Sequence, residues 1–409
     1  MSSSVVNTDS GLVTAKLSPM ATVGFIVGTN IGAGILALSY SARNAGFLPL
    51  LVCLIITCLM CTITMLYVTE SCLRTKGNHQ LTGLTARYLG KAGSWLLFFG
   101  IAANSYGALT AYMSGSGKIL EAFFGEMGLT RTMGSLIFFV PAVVVMYVGL
   151  AAIGVAQKVI SIGMMAVITI LVFATFVNVD TDVAHLTVAN WSLIVPIFNL
   201  AVFIFGAQFL VPELVRGNLE TVEKLPKLIV IGMAITLLIV AVVPASIIAL
   251  VGLDNISEVA TTAWGSKLGQ WAFWIANIFA LTAMLTSYWG LGGALFSNIF
   301  DHFQLGSETN KLRRILVLVA VAVPPFFFNY FGMGGFVNAL YFAGTFGGVL
   351  MGVIPMILLR RSRISGDQSP GFVCGWYANP IIQNVIMATF IFSAVYAVAA
   401  QFGLLPKSW

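Results

Sequence analysis

The segment VGTNIGAGILAL, at positions 27–38, places helix-weakening residues inside one of the most apolar stretches of the chain. Gly28, Gly32 and Gly34 recur closely, with Thr29 and Asn30 between them. In hydrocarbon, each unpaired backbone N–H or C=O group costs several kcal/mol. A helix that is interrupted from Gly28 to Gly34 therefore predicts a polar ligand that satisfies these groups.

The groups freed by such a break suit both ends of an amino acid. The half-helix that follows presents N–H groups and a positive dipole end near Gly32, Ala33 and Gly34, where a carboxylate is favoured. The unwound carbonyl groups suit an ammonium group or a cation. The alternative is a packing face of small residues, of the GxxxG kind. A second break at an equivalent position would favour the ligand site.

The composition requires a membrane around these residues. Of 409 residues, 59% are hydrophobic and 8% are charged, and the mean hydropathy is +0.97. Such values are typical of integral membrane proteins. We interpret the net charge of +6 as topology and lipid contact, and we expect no nucleic acid as a partner. Three of the five cysteines lie within one apolar segment, and the three histidines fall in polar connections, so we expect no enzyme activity, no cofactor and no transition metal.

A membrane-spanning helix needs about 20 mostly apolar residues. By this measure the sequence predicts eleven spans, at about 20–44, 48–71, 93–119, 132–151, 156–178, 193–215, 228–252, 267–300, 312–331, 335–359 and 380–403. Most Lys and Arg residues fall on one side of these spans, which predicts a cytoplasmic tail at 1–19 and a tail at 404–409 outside.

The first ten spans form two groups of five, 20–178 and 193–359, and the eleventh follows at 380–403. Because five is odd, the second group enters the membrane with the opposite orientation, which predicts an inverted repeat. The first span of the second group should then be broken too, and NLAVFIFGAQFLVPEL carries Gly206 and Gln208 mid-run, with Pro212 beyond. We therefore predict an all-α integral membrane protein in which spans 1 and 6 are broken.

Four stretches carry a resemblance to a known family: GTNIGAGILAL, AYMSGSGKILEAFFGEMGL, LTSYWGLGGALFSNIFD and the closing FGLLPKSW. In this order they resemble the aromatic amino acid permeases of bacteria, a family of tryptophan and tyrosine transporters within the amino acid, polyamine and organocation superfamily. The resemblance implies a LeuT-type 5+5 inverted repeat in the bacterial cytoplasmic (inner) membrane. It implies alternating access and symport of an amino acid with a cation. The sequence leaves the oligomeric state open, and a monomer is compatible with it.

The resemblance also implies the site residues. Substrate contacts fall in the two breaks and on spans 3 and 8, at Thr29, Asn30, Gly32, Ala33, Gly34, Phe205, Gly206, Ala207, Gln208, Tyr106 and Trp289. Tyr112 matches a second family tyrosine, which we interpret as helix packing. Where aromatic permeases carry Tyr-His-Gly, this chain has Ala207, Gln208 and Phe209, so a non-aromatic neutral amino acid remains an alternative substrate.

The identity of the coupling ion remains open between sodium and a proton. Sodium-coupled relatives with the LeuT-type fold imply a site at Gly28, Ile31, Ala283, Thr286 and Ser287, and such oxygen ligands suit a hard cation. The alternative is that Thr286 and Ser287 bond only their own helix. Proton coupling would instead use Lys158, where some superfamily members place an amine, or Glu70, which matches an acidic family position. An uncoupled facilitator is a further alternative.

Overall fold

The computed structural model describes residues 5–6, 14–77, 79–148, 151–305 and 310–409, with side chains described except at 5–6, 14–15, 148, 151–162 and 301. The strands β1 (Val5–Val6) and β2 (Thr14–Ala15) pair antiparallel, with Val5 opposite Ala15. The remaining regular structure in this part of the chain is helical.

The α-helices are α1 (Pro19–Asn30), α2 (Ile35–Ser41), α3 (Phe47–Leu73), α4 (Leu81–Phe124), α5 (Arg131–Val148), α6 (Ala151–Phe176), α7 (Ile194–Ile204), α8 (Val211–Gly217), α9 (Leu225–Val251), α10 (Ala260–Leu268), α11 (Gln270–His302), α12 (Lys311–Tyr330), α13 (Phe336–Phe342), α14 (Val349–Ser365) and α15 (Pro380–Gln401). A π-helix, Ala343–Gly348, joins α13 to α14. Short 3₁₀ helices occur at Gly125–Met127, Val183–Thr187, Trp191–Leu193, Gln208–Leu210, Leu219–Lys224, Leu253–Asn255 and Trp376–Ala378.

Within the described ranges, eight helical segments are long and apolar enough to cross a membrane, and the bent pair of α1 and α2 adds a ninth. Two shorter apolar helices, Arg131–Tyr147 and Gly163–Phe176, coincide with the predicted spans at 132–151 and 156–178. The protein is therefore a multi-pass membrane protein whose candidate spans are α-helical. The count of eleven spans stays a prediction.

Glycine sets the backbone geometry at the start of α3 and at a bend inside α4. At Gly46, just before α3, the backbone has φ of +91°, and an added Cβ would come within 2.0 Å of the Val188 carbonyl oxygen. At Gly90, φ of +67° bends α4, so the residues from 91 onward run in a new direction. This bend explains why the apolar pattern of span 3 begins after it, although helix begins at Leu81. Only glycine adopts such conformations without strain.

Two long helices organise the packing. α3 lies against α7, α8, α9 and α14, whereas α4 lies against α5, α11, α12, α13 and α14. α1 packs on α9, and α2 packs on α7 and α9. The two interrupted segments, α1 with α2 and α7 with α8, are therefore neighbours inside the bundle.

Candidate substrate site

The first break is real but shorter than predicted. α1 continues to Asn30 because the Ile31 N–H donates to the Val27 carbonyl oxygen at 2.8 Å, so Gly28, Thr29 and Asn30 are helical. The predicted interruption at Gly28–Asn30 is wrong, since a glycine inside a helix costs only about 1 kcal/mol and is tolerated. Residues 31–34 are unwound, and α1 and α2 meet at an angle of 46°.

Two backbone donors remain unpaired in this break. The first N–H groups of α2, from Ile35 onward, donate to carbonyls three residues back, beginning with Gly32. The N–H groups of Ala33 and Gly34 have no hydrogen-bond acceptor within the described residues, and both residues are buried. A buried N–H without a partner costs about 1–3 kcal/mol. These two donors therefore suit a bound carboxylate.

The second break separates α7 from α8. The Phe205 N–H closes α7 by donating to the Ala201 carbonyl oxygen at 3.0 Å, and the Ala207 N–H turns back to the Phe205 carbonyl oxygen at 2.9 Å. α8 restarts with Pro212 in its first turn, where proline lacks only an N–H that would be free anyway. Phe205 and Ala207 are fully buried. The break predicted at span 6 thus falls at residues 205–210.

Gln208 provides an unpaired acceptor at this second break. Its side chain is 1% exposed, and its Nε2 donates to Oγ1 of Thr64 on α3 at 3.0 Å. Its Oε1 has no hydrogen-bond partner among the residues that the structure describes. This oxygen lies 4.0 Å from the position that a Cβ on Gly206 would occupy, so it faces the break. Thr64 was not predicted, because a threonine in an apolar helix gives no sign of its tertiary partner.

The two breaks contact each other through glycine. A Cβ on Gly34 would lie 3.1 Å from Cε1 of Phe203 and 3.2 Å from Cγ1 of Ile204, at the end of α7. These distances are tighter than an ordinary packing contact. The absence of a side chain at Gly34 therefore lets the unpaired donors of the first break lie beside the second break.

The helix α11 reaches the first break at Ser287. A Cβ on Gly32 would lie 3.0 Å from Ser287 Oγ, and the Tyr112 hydroxyl interacts with the Ser287 side chain. Thr286 Oγ1 donates to the Ala283 carbonyl oxygen at 3.0 Å, which is the local bonding given as the alternative to an ion site. A hydroxyl that donates in this way keeps lone pairs for a cation. Gly28 is half-buried, and no described atom lies within 4 Å of the position that a Cβ would occupy there.

Two of the predicted substrate residues, Tyr106 and Trp289, lie away from the breaks, whereas Thr29 and Asn30 end α1 beside the first break. Tyr106 donates its hydroxyl to the Ala320 carbonyl oxygen of α12 at 2.8 Å and lines a cavity near the ends of α12 and α15. Trp289 donates its indole N–H to the Ala142 carbonyl oxygen of α5 at 3.1 Å. Asn30 donates to the Met233 sulfur of α9 at 3.4 Å, and Thr29 is half-buried. The structure does not bring Tyr106 or Trp289 to the breaks.

The two proton candidates also differ. Glu70 is fully buried and accepts hydrogen bonds from Arg363 Nε and Nη2 at 2.8 and 2.9 Å, from Arg74 Nε at 2.8 Å and from the Cys374 N–H at 2.7 Å. Four donors stabilise the ionised carboxylate, so Glu70 joins α3 to α14 and to the following connection. The side chain of Lys158, on α6, lies outside the described residues.

Comparison with known proteins identifies the chain's relatives. The model of the tryptophan/tyrosine permease family matches residues 16–397. The tyrosine-specific transport system 2 of Haemophilus influenzae is 24% identical over 86% of this chain and 89% of its own length. The tryptophan-specific transport protein of Shigella flexneri is 26% identical, over 97% and 99%. The glutamine transporter 2 of Aliivibrio fischeri is 23% identical, over 82% and 87%.

The family match covers nearly the whole chain, including α1, both breaks and most of α15. The resemblance inferred from the four sequence stretches is thereby confirmed. Its members are transporters rather than enzymes. This chain belongs to the tryptophan/tyrosine permease family.

Proposed function

We propose that the chain is a secondary active transporter that imports a neutral aromatic amino acid, such as tryptophan or tyrosine, by symport with sodium or a proton. The observation that carries this proposal is the set of unpaired, buried groups at adjacent breaks. The N–H groups of Ala33 and Gly34 would bind the substrate carboxylate, and Gln208 Oε1 would accept a hydrogen bond from the substrate. Indole N–H and phenol O–H groups are such donors.

The packing pairs support a 5+5 inverted repeat of eleven spans. A shift by five spans exchanges the contact of α1 with α9 for that of α7 with α3, and the contact of α4 with α5 for that of α11 with α12. It likewise exchanges α11 with α6 for α4 with α14. In such a repeat, substrate sites lie near the membrane midplane at broken helices. We further propose the bacterial cytoplasmic membrane, with the amino terminus in the cytoplasm.

Transport then proceeds by alternating access around the two breaks. The site opens to one side at a time as the segments α1–α2 and α7–α8 move against α4 and α11. Substrate and ion drive the cycle only if both bind one conformation better than another. An uncoupled facilitator would need no such difference.

Sodium and proton coupling make different demands on the side chains. Ser287 lies beside Gly32, which supports a sodium site that also includes Gly28, Ile31, Ala283 and Thr286. Proton coupling would rely on Lys158, since the four donors around Glu70 favour a permanently ionised carboxylate.

A second substrate class has its own support. The glutamine transporter among the relatives is covered over most of its length, and Gln208 offers an amide where aromatic permeases carry histidine. A neutral, non-aromatic amino acid with a side-chain amide is therefore the second candidate.

Uptake into proteoliposomes tests the proposal. Purified protein is supplied with radiolabelled tryptophan, tyrosine, leucine or glutamine under an imposed sodium or proton gradient. Concentrative uptake of tryptophan or tyrosine is expected, whereas preference for glutamine would replace the aromatic assignment. Accumulation under neither gradient would refute symport.

Variants then assign the ion. Thr286→Ala should abolish sodium-driven uptake if sodium binds at α11, and Lys158→Ala should abolish proton-driven uptake. Thr282→Ala is the matched control for Thr286→Ala, because Thr282 Oγ1 donates to the Phe279 carbonyl oxygen at 2.8 Å, one turn earlier on the same helix. Equal losses in both threonine variants would contradict an ion role for Thr286.

A further inference from the structure

A second cavity lies where α12 ends, α13 begins and α15 ends. It has a volume of about 580 Å³ and is open to the surface on one side, a size typical of small-molecule sites. Its described lining comes from α4, α12, the connection between α12 and α13, α13, the π-helix, α15 and the tail that follows α15. No residue of α1, α2, α7, α8 or α11 belongs to this lining, so the cavity is separate from the two breaks.

Six of the described residues that line this cavity are aromatic, and four of those six are exposed. Phe328 is 39% exposed, Phe342 46%, Phe346 41% and Phe402 77%. Exposed aromatic side chains at the ends of membrane helices face the bilayer near its interface. The cavity is therefore accessible to lipid rather than enclosed within the bundle.

A lysine side chain, Lys407, contributes a cation to the lining of this cavity. Lys407 is the only charged residue among the described residues of the lining. Its Nζ donates to Gln401 Oε1 at 3.2 Å and to Asn338 Oδ1 at 3.5 Å, and both partners are neutral. Burial lowers the pKa of Lys407 below its ordinary value, because the charged form is partly desolvated. An ammonium group in this position favours an anionic ligand.

We propose that this cavity binds an anionic phospholipid, with its phosphate on Lys407 and an acyl chain along Phe328, Phe342 and Phe346. An amino acid fits less well, because none of the described lining residues carries a carboxylate that could bind its ammonium group. For the same reason, lipids whose headgroup carries a cationic group such as choline fit less well. Cations near a membrane surface attract anionic lipids by about 1 kcal/mol each.

The bound lipid would also act on the first broken segment. Beyond Lys407, Ser408 is fully buried. Its hydroxyl donates to the Ser41 carbonyl oxygen at 2.6 Å, and its own carbonyl oxygen accepts a hydrogen bond from the Asn44 N–H at 3.1 Å. Ser41 is the last residue of α2. The tail thus connects the cavity to the end of α2 that lies away from the break, and a lipid on Lys407 stabilises this connection.

Lipid binding to the full-length protein in detergent tests the proposal. Native mass spectrometry would follow titration with phosphatidylglycerol and, separately, phosphatidylcholine. Lys407→Gln should weaken phosphatidylglycerol binding about fivefold, and Lys407→Arg should retain it. Lys267→Gln is the matched control, since Lys267 is an exposed lysine in the last turn of α10.

The outcomes separate the lipid site from other ligands. Phe346→Ala should weaken the binding of both lipids, because it removes part of the wall that contacts the acyl chain and leaves Lys407 in place. Equal phosphatidylglycerol binding by wild type and Lys407→Gln would overturn the proposal. The proposal would also be overturned if tryptophan displaced phosphatidylglycerol from the wild type but not from Lys407→Gln. That result would indicate a second amino acid site.

Discussion

Replacing Glu70 with glutamine separates a structural role from a proton-carrying one. The carboxylate accepts four hydrogen bonds, three of them from the guanidinium groups of Arg363 and Arg74. Glutamine keeps one acceptor oxygen and turns an NH₂ group toward donors, so about two of these bonds are lost. A hydrogen bond to a charged group contributes about 1.5–3 kcal/mol.

The expected loss is smaller than this sum, because the guanidinium groups can regain water. The Arg363 side chain is 32% exposed and that of Arg74 is 20% exposed. We therefore expect Glu70→Gln to lower the free energy of unfolding by about 2–3 kcal/mol. In a chain of this size, the midpoint of thermal unfolding should fall on the order of 5 °C.

Thermal unfolding in detergent can be followed with a thiol-reactive fluorophore. Cys53, Cys61 and Cys374 are buried, and burial raises the pKa of the Cys374 thiol, so these groups react only on unfolding. The control is Glu220→Gln, because Glu220 pairs with Lys16 at the surface and such pairs contribute less than about 1 kcal/mol.

Proton-driven uptake by the same variants completes the test. Folded Glu70→Gln protein should keep the gradient dependence of the wild type. An unchanged unfolding midpoint together with uptake that no longer responds to the proton gradient would refute the structural role and make Glu70 the proton carrier.

Two further predictions concern packing and pH. Gly344→Ala should prevent correct folding, because a Cβ there would lie 1.8 Å from the Asn199 carbonyl oxygen. Gly163→Ala, where no described atom lies within 4 Å of the added Cβ, should leave the yield of folded protein unchanged. The pKa of Asp367 is lowered from its ordinary 3.8, chiefly by the Lys76 N–H. Its stabilisation is therefore present above about pH 3.8 and lost as pH falls through the lower, folded-state pKa; Asp367→Asn should remove that part of the pH dependence of thermal unfolding.

The breaks were predictable because glycine and polar residues inside apolar runs conflict with the membrane. The extent of the first break was not, since Gly28 is compatible with a helix once the Ile31 N–H bonds to Val27. Residue type alone does not decide between these states. Gln208 was named from its position in the second break, whereas its unpaired oxygen required coordinates.

Side-chain direction limited the prediction on unbroken helices. Tyr106 and Trp289 lie on predicted spans, but successive helical residues point about 100° apart, so small errors in rotation change the neighbour. The structure turns Tyr106 toward α12 and Trp289 toward α5. The partners of Glu70 are equally invisible in the sequence, because Arg363 lies 293 positions away.

The most direct test is an experimental structure of the full-length protein with the amino acid that uptake selects. We predict density between the two breaks, with the substrate carboxylate within hydrogen-bond distance of the Ala33 and Gly34 N–H groups and a substrate donor on Gln208 Oε1. Density only in the cavity beside Lys407, with the breaks empty, would contradict the assignment of the breaks as the transport site.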